Sequence, residues 1–240
     1  MIQQPFGSAA LHWPRLLAVL LIASLSACRS TSHQQEQVPA VVAAPVGEGV
    51  PYAIDSAQSL LTLHVYKEGL MAALGHNHVI AVHDLHGSVQ WRGEPVQSAF
   101  TLEFAVAAMT VDEPELRATA GVDFSAVVPD SARDGTRRNM LGDKLLDADH
   151  YPDIRVQSEL ITAAPQGWVV QARVTVCGRD SVVRFPVTVS QDGDTISAHG
   201  QFDLLQSSLG LTPFSVAMGA LRVTDRMRLQ FDLVAARAGS

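Results

Sequence analysis

Cysteine is almost absent from this chain of 240 residues, with Cys28 and Cys177 the only two. Cys28 closes an N-terminal apolar run and is accounted for there, so Cys177 has no partner for an internal disulfide. The fold must therefore hold without covalent staples, and Cys177 reads as a small, half-buried residue ending Val174–Cys177. Positive charge is scarce as well. Seventeen Lys and Arg stand against 24 Asp and Glu, a formal net charge of −7, and no basic cluster occurs. That balance argues against nucleic acid as a partner and against electrostatic capture by an anionic bilayer. No apolar run reaches transmembrane length: Leu16–Leu25 would span roughly 15 Å as a helix, about half of a bilayer core. Catalytic signatures are missing too. There is no G-x-S-x-G, no H-E-x-x-H and no phosphate-cradling glycine loop, so the chain reads as a binding protein that requires no cofactor.

What the chain does have begins with Arg15, the apolar stretch Leu16–Leu25 and the tetrapeptide Leu25-Ser26-Ala27-Cys28. A positive end, a short apolar run and small residues at a cleavage site make a secretory signal. A site that stops directly before a cysteine resembles the lipobox of bacterial lipoproteins, whose cysteine is lipidated and becomes the first mature residue. The resemblance implies a signal peptide over 1–27, lipid attachment at Cys28 and a location on the periplasmic side of the envelope. Arg29 follows the cysteine where an aspartate does not, which by the lipoprotein sorting pattern favours the outer membrane. Residues 28–50 are rich in Gln, Pro, Ala and Gly without period or aromatic residue, and read as a flexible tether. About twenty such residues reach roughly 70 Å when extended.

From residue 51 to 236, period-two alternation dominates. Phe100, Leu102, Phe104 and Val106 share one side of a strand, with Thr101 and Glu103 on the other. Trp168–Val176, Val183–Val189, Ile196–Leu204 and Val223–Leu233 repeat the pattern, with shorter strands over Ser59–Tyr66 and Ile154–Ser158 and a less regular one over Val79–Trp91. Tight connections fall at Pro165-Gln166-Gly167, Gly178-Arg179-Asp180 and Gln191-Asp192-Gly193-Asp194. About eight antiparallel strands with one apolar face each need a closed barrel or a sandwich. Between Val111 and Pro152 the alternation lapses. Asp130–Met140 and Asp143–Ala148 read as short helices with Gly142 as a C-cap. The fold class is all-β with a small helical insertion.

The order of these segments resembles the YceI-like family of periplasmic, lipocalin-like barrels that bind polyisoprenoid lipids. Tyr52-Ala53-Ile54-Asp55 with Ser59 looks like its opening strand, and Gly87-Ser88-Val89 like a second-strand turn. Asp143-Lys144-Leu145-Leu146-Asp147-Ala148-Asp149-His150-Tyr151-Pro152-Asp153-Ile154 is similar to its most specific segment, with Ser158 at the serine that follows. Val174–Gly178 with Val183 and Pro186, Gly200–Ser207 with Gly210 and Leu211, and Val223–Leu233 complete the match. The chain departs from the family at Leu74-Gly75-His76-Asn77-His78-Val79, where glycine, arginine and phenylalanine-type residues are usual. What the resemblance implies is an eight-stranded antiparallel lipocalin-like barrel enclosing a long isoprenoid, quinone or polyprenyl, for carriage, storage or sequestration.

Alternation by itself fits a packed interior as well as a hollow one. With the resemblance, Phe100, Leu102, Phe104, Val170, Phe185, Phe202, Phe214 and Phe231 become the expected cavity wall. The histidines form a second candidate site. His76 and His78 would lie on one side of a strand about 7 Å apart and could share Zn or Cu with a third ligand, His64 first and His83 or His86 after it. The same pair could instead hydrogen-bond a ligand head group at the barrel mouth, or serve structure alone. A metal-binding or redox-accessory lipoprotein and a plain interaction scaffold are thus the alternative readings. Asp112, Glu113 and Glu115 read as solvated acids in a polar loop. Arg133, Arg137 and Arg138 have helical spacing with Asp130 and Asp134 and read as exposed ion pairs, with Arg137 or Arg138 the alternative contacts for a lipid pyrophosphate.

Overall fold

The structure is a computed structural model that describes residues 49–239. The signal peptide, Cys28 and the tether as far as residue 48 lie outside the described residues. Among those described, no helix is long and apolar enough to cross a membrane.

Twelve strands make one sheet: β1 (Val50–Ile54), β2 (Leu60–Glu68), β3 (His78–Val82), β4 (His86–Trp91), β5 (Ala99–Ala105), β6 (Thr110–Val111), β7 (Asp153–Ala163), β8 (Trp168–Val176), β9 (Arg179–Asp192), β10 (Thr195–Leu205), β11 (Ser215–Val216) and β12 (Leu221–Arg237). Two helices, α1 (Pro114–Thr119) and α2 (Asp130–Leu141), sit between β6 and β7. The long β12 closes the sheet on itself. On one edge it pairs with β10; on the other its end runs beside β1 (Arg237 opposite Tyr52) and its middle beside β2 (Phe231 opposite Leu61). Pairs β1/β2, β3/β4 and β5/β6 each occupy one strand position, which gives an eight-position antiparallel barrel.

Each break in a split strand has a local cause. Asp55 caps the 3-10 turn Ser56–Gln58, accepting from the Ala57 N–H at 3.0 Å and from the Gln58 side chain at 2.6 Å. Ser59 then repairs the seam: its Oγ accepts from the Val234 N–H at 3.0 Å and donates to the Val234 carbonyl at 3.3 Å. Ser158 does the same at a bulge in β7, accepting from the Phe100 N–H at 2.8 Å and donating to its carbonyl at 3.3 Å. The irregular run expected over Val79–Trp91 is β3 and β4, divided where Leu85 turns fully inward.

One local expectation holds and one is corrected. Gly142 is the C-cap of α2, in extended backbone (φ −72°, ψ 168°), with its N–H donating to the Arg138 carbonyl. Asp143–Ala148 is a series of turns, because Leu145 and Leu146 are drawn into the core and Asp147 takes φ 45°. The β8–β9 hairpin turns on Cys177-Gly178, at φ 49° and 69°, the pair of left-handed residues that a type I′ turn requires. Cys177 is therefore a turn residue. Its Sγ lies 3.4 and 3.3 Å from the Leu145 and Leu146 carbonyls, and burial with the nearby Asp147 raises its pKa.

Candidate functional site

Inward rows from β2, β4, β5, β7, β8, β9, β10 and β12 do not meet at the axis. They leave a cavity of about 210 Å³ walled by apolar side chains, with Ser98 the polar exception. Seven of the eight wall residues expected from sequence line it: Phe100, Leu102, Phe104, Val170, Phe185, Phe202 and Phe231. Phe185 sits at their centre, stacked on Phe202 at 5.0 Å between ring centroids and edge-on to Phe231 at 5.7 Å. Such ring pairs contribute about 0.5–1.5 kcal/mol beyond their burial.

Phe214 lines a second cavity, of about 300 Å³, at the barrel end where β2 leaves and β12 enters. The two cavities adjoin, with Leu63, Ile154, Val176, Leu209 and Met227 as shared wall residues. Together they fall within the ~300–1,000 Å³ usual for small-molecule sites. α2 covers this end, contributing Ala132, Thr136 and Met140. Here polar side chains join a wall that stays mainly apolar: Lys67, His76, His78, Thr136, Asn139, Gln206 and Arg222 take part, and no carboxylate does.

His76 and His78 both reach this second cavity, with ring centroids 6.1 Å apart. His76 precedes β3 rather than lying within it. Its pKa is lowered by burial, then by His78, Lys67 and Arg117, with Asp112 opposing. His64 is not with them. It follows the inward Leu63 on β2, so it faces outward, packed on Phe124 at 5.0 Å between ring centroids. Period-two geometry puts it on the opposite side of the sheet from His78. His83 and His86 bind Glu113 and Asp84, each at 2.9 Å. Among the described residues, no three His, Cys, Asp or Glu side chains come together in a way that could hold a metal ion.

Asp112 is the functional-end residue that sequence reasoning misplaced. It is 1% exposed, not a solvated loop acid. One carboxylate oxygen accepts from the Val79 N–H at 2.9 Å and from Arg117 at 2.5 Å; the other accepts from His78 Nδ1 at 2.6 Å. Burial alone would raise its pKa, but the bonds from His78, Val79 and Arg117 hold it below the ordinary carboxylate value. Arg117 also donates to the carbonyls of Asn77, Phe124 and Ala126 at 2.8, 2.6 and 2.9 Å. With Nδ1 donating to Asp112, His78 presents Nε2 to the Thr136 hydroxyl on α2, 3.1 Å away. A fixed imidazole thus stands at the polar end of an apolar cavity, oriented from behind by a buried ion pair. Pro114 directly after Asp112-Glu113 was the available signal, since proline favours the first helical position and Arg117 follows within that helix turn.

The arginines of α2 do not face the cavity. Arg133 pairs with Asp130, and Arg137 donates to the backbone carbonyls of Met109 and Ala107.

Comparisons with known proteins agree with this architecture. The crystal structure of BcnA from Burkholderia cenocepacia superposes with a TM-score of 0.56 at 19% identity, covering 76% of this chain and 99% of that one. A polyisoprenoid-binding domain from Saccharophagus degradans, implicated in plant cell wall breakdown, superposes with a TM-score of 0.51 at 14% identity, covering 78% and 98%. At these identities the likeness is one of fold. No curated protein sequence matches the chain. The model of the YceI-like domain matches residues 52–235, all of the barrel but two residues at each end, and the chain therefore belongs to the YceI-like family.

Proposed function

We propose that this protein is a lipid-anchored envelope protein that encloses a long-chain isoprenoid, of quinone or polyprenyl type, for carriage or storage. The observation that carries the reading is the pair of adjoining cavities: an apolar chamber of about 210 Å³ beside one of about 300 Å³ whose mainly apolar wall also carries Lys67, His76 and His78. An isoprenoid has that polarity, with its tail along the phenylalanine rows and its head beside Lys67, His76 and His78. Enclosure contributes roughly 25 cal/mol per Å² of apolar surface removed from water, so the tail needs no polar contact. A structural neighbour described as a polyisoprenoid-binding domain supports the choice of ligand class. Lipidation at Cys28 and retention at the outer membrane, both read from the sequence, would keep the barrel near its source of lipid.

Native mass spectrometry of residues 29–240, exported in a bacterial host and purified without detergent, tests the reading. A mass excess that solvent extracts as an isoprenoid is the expected result. Bare protein, from a host rich in quinones and polyprenyl phosphates, would count against it.

A further inference from the structure

We propose that the barrel docks onto a lipid bilayer through the rim formed by residues 69–75 and 211–221, and that its lipid enters and leaves there. The inference rests on the isoprenoid reading above. The two segments are held together by backbone: the Met71 N–H donates to the Ala220 carbonyl at 2.7 Å, and Gly69 lies against that same carbonyl. Neither segment contains a charged residue or a histidine, in a chain that is 17% charged. What they display instead is aliphatic. Leu70 and Met218 are 99% and 106% exposed, Leu74 is 70% exposed, and Met71 and Val216 stand beside them at 41% and 42%. Such a contiguous exposed group marks an interaction surface rather than scattered surface hydrophobes.

Backbone conformation presents the group. Ala217 and Met218 take φ 50° and 54°, with Gly219 at 89°. Two consecutive non-glycine residues in the left-handed region are sterically costly, and the effect is to aim Met218 away from the protein. The occupant follows from what lies behind the rim. Gly75, Phe214 and Leu221, from these same segments, line the second cavity, with Lys67, His76 and Arg222 next to them. An apolar tip backed by Lys67 and by the Arg222–Glu68 ion pair matches a bilayer in depth order: acyl chains first, then the zwitterionic head groups, with long charged side chains reaching back to the interface. The cavity mouth would then open into the layer from which an isoprenoid is drawn.

Tryptophan reports the contact directly. The full chain carrying Met218→Trp is mixed with phosphatidylcholine vesicles whose acyl chains are brominated, and the signal of the unsubstituted chain, from Trp13, Trp91 and Trp168, is subtracted. The expected result is a blue-shifted emission quenched by bromine and insensitive to high salt, because the chain's net charge of −7 gives no general attraction. Val96→Trp, at the opposite end of the barrel, should remain unquenched. In the Leu70→Asp/Met218→Asp variant, transfer of bound lipid to acceptor vesicles should slow by about tenfold or more, the effect of losing the burial of one large aliphatic side chain. Both side chains are solvent-exposed, so the melting temperature should not change. Absence of quenching at position 218 would overturn the proposal. So would a stable dimer of the unmodified chain that the double aspartate variant dissociates, since the face would then belong to a second copy. Lipid content by native mass spectrometry separates the two readings: a loaded barrel without quenching refutes docking alone, whereas quenching by an empty barrel refutes the isoprenoid.

Discussion

Removal of the Asp112 carboxylate would leave Arg117 and His78 facing each other with nothing between them. Breaking a buried ion pair by deleting one partner typically costs about 3–5 kcal/mol, most of it from the stranded charge. Asp112→Ala should therefore lower stability by that order in urea unfolding, and Asp112→Ala with Arg117→Met should recover part of the loss. The same carboxylate makes a statement about pH. Its folded pKa lies below the ordinary value of 3.8, so at pH values between the two the unfolded chain binds more protons than the folded one. The stabilisation is complete above the unfolded value and disappears as the pH falls through the folded one. Unfolding midpoints followed from neutral pH down into the acid range should fall more steeply for the parent chain than for Asp112→Asn. An equal fall would mean that Asp112 is not held as the geometry indicates. Ligand retention belongs to this scale too. His78→Gln keeps a polar side chain but loses the two-sided bridge from Asp112 to Thr136, and should release bound lipid faster if the head group rests on that imidazole.

At the scale of the element, the strands were legible and their interruptions were not. Alternation over Trp168–Val176 or Ile196–Leu204 encodes one buried face, and β10 follows it closely, whereas in β8 the outward Gln171 is buried too, under its bonds to Glu159 and Arg184. Nothing periodic announces that β1 and β2, or β3 and β4, share a strand position, because that depends on which partner each half finds along β12 and β5. The serines that repair the seams are similarly silent: Ser59 and Ser158 stand out only through the family resemblance. Each substitutes a hydroxyl for a ladder bond at a break, so Ser59→Ala or Ser158→Ala should leave a backbone group unpaired and cost about 1–3 kcal/mol, read as a lower urea midpoint with unchanged slope. The polar end was misread for a comparable reason. Asp112 and Arg117 join β6 to α1 and reach His78 across the sheet, and a contact between three elements has no signature in any one of them. His64 and His78 were grouped by residue type, whereas strand parity separates them.

The whole molecule poses the question that alternation leaves open, whether the barrel is hollow. Closure through β12 sets a circumference of eight strand positions, just wide enough for side chains to fill or for one slender ligand to remain. Here the small Ala198 favours the second. Ala198 stands in the cavity wall between the phenylalanine rows. Gly200, two residues on, lets Phe231 and the β9 backbone approach: a Cβ there would lie 2.6 Å from the Phe231 ring and 2.5 Å from the Pro186 carbonyl oxygen. These positions allow opposite tests of one cavity. Gly200→Ala has no free space to use, and the strain should cost about 1–3 kcal/mol whether or not lipid is bound. Ala198→Trp points a large side chain into open volume. It should fold with its stability kept or raised, because it fills a void instead of overpacking a core, and it should lose the bound isoprenoid. Thermal unfolding together with native mass spectrometry checks both outcomes. A stable Ala198→Trp protein that still carries its full complement of lipid would place the ligand outside the chamber. A variant that fails to fold would mean the chamber is already filled by side chains, and the barrel would then be a scaffold rather than a carrier.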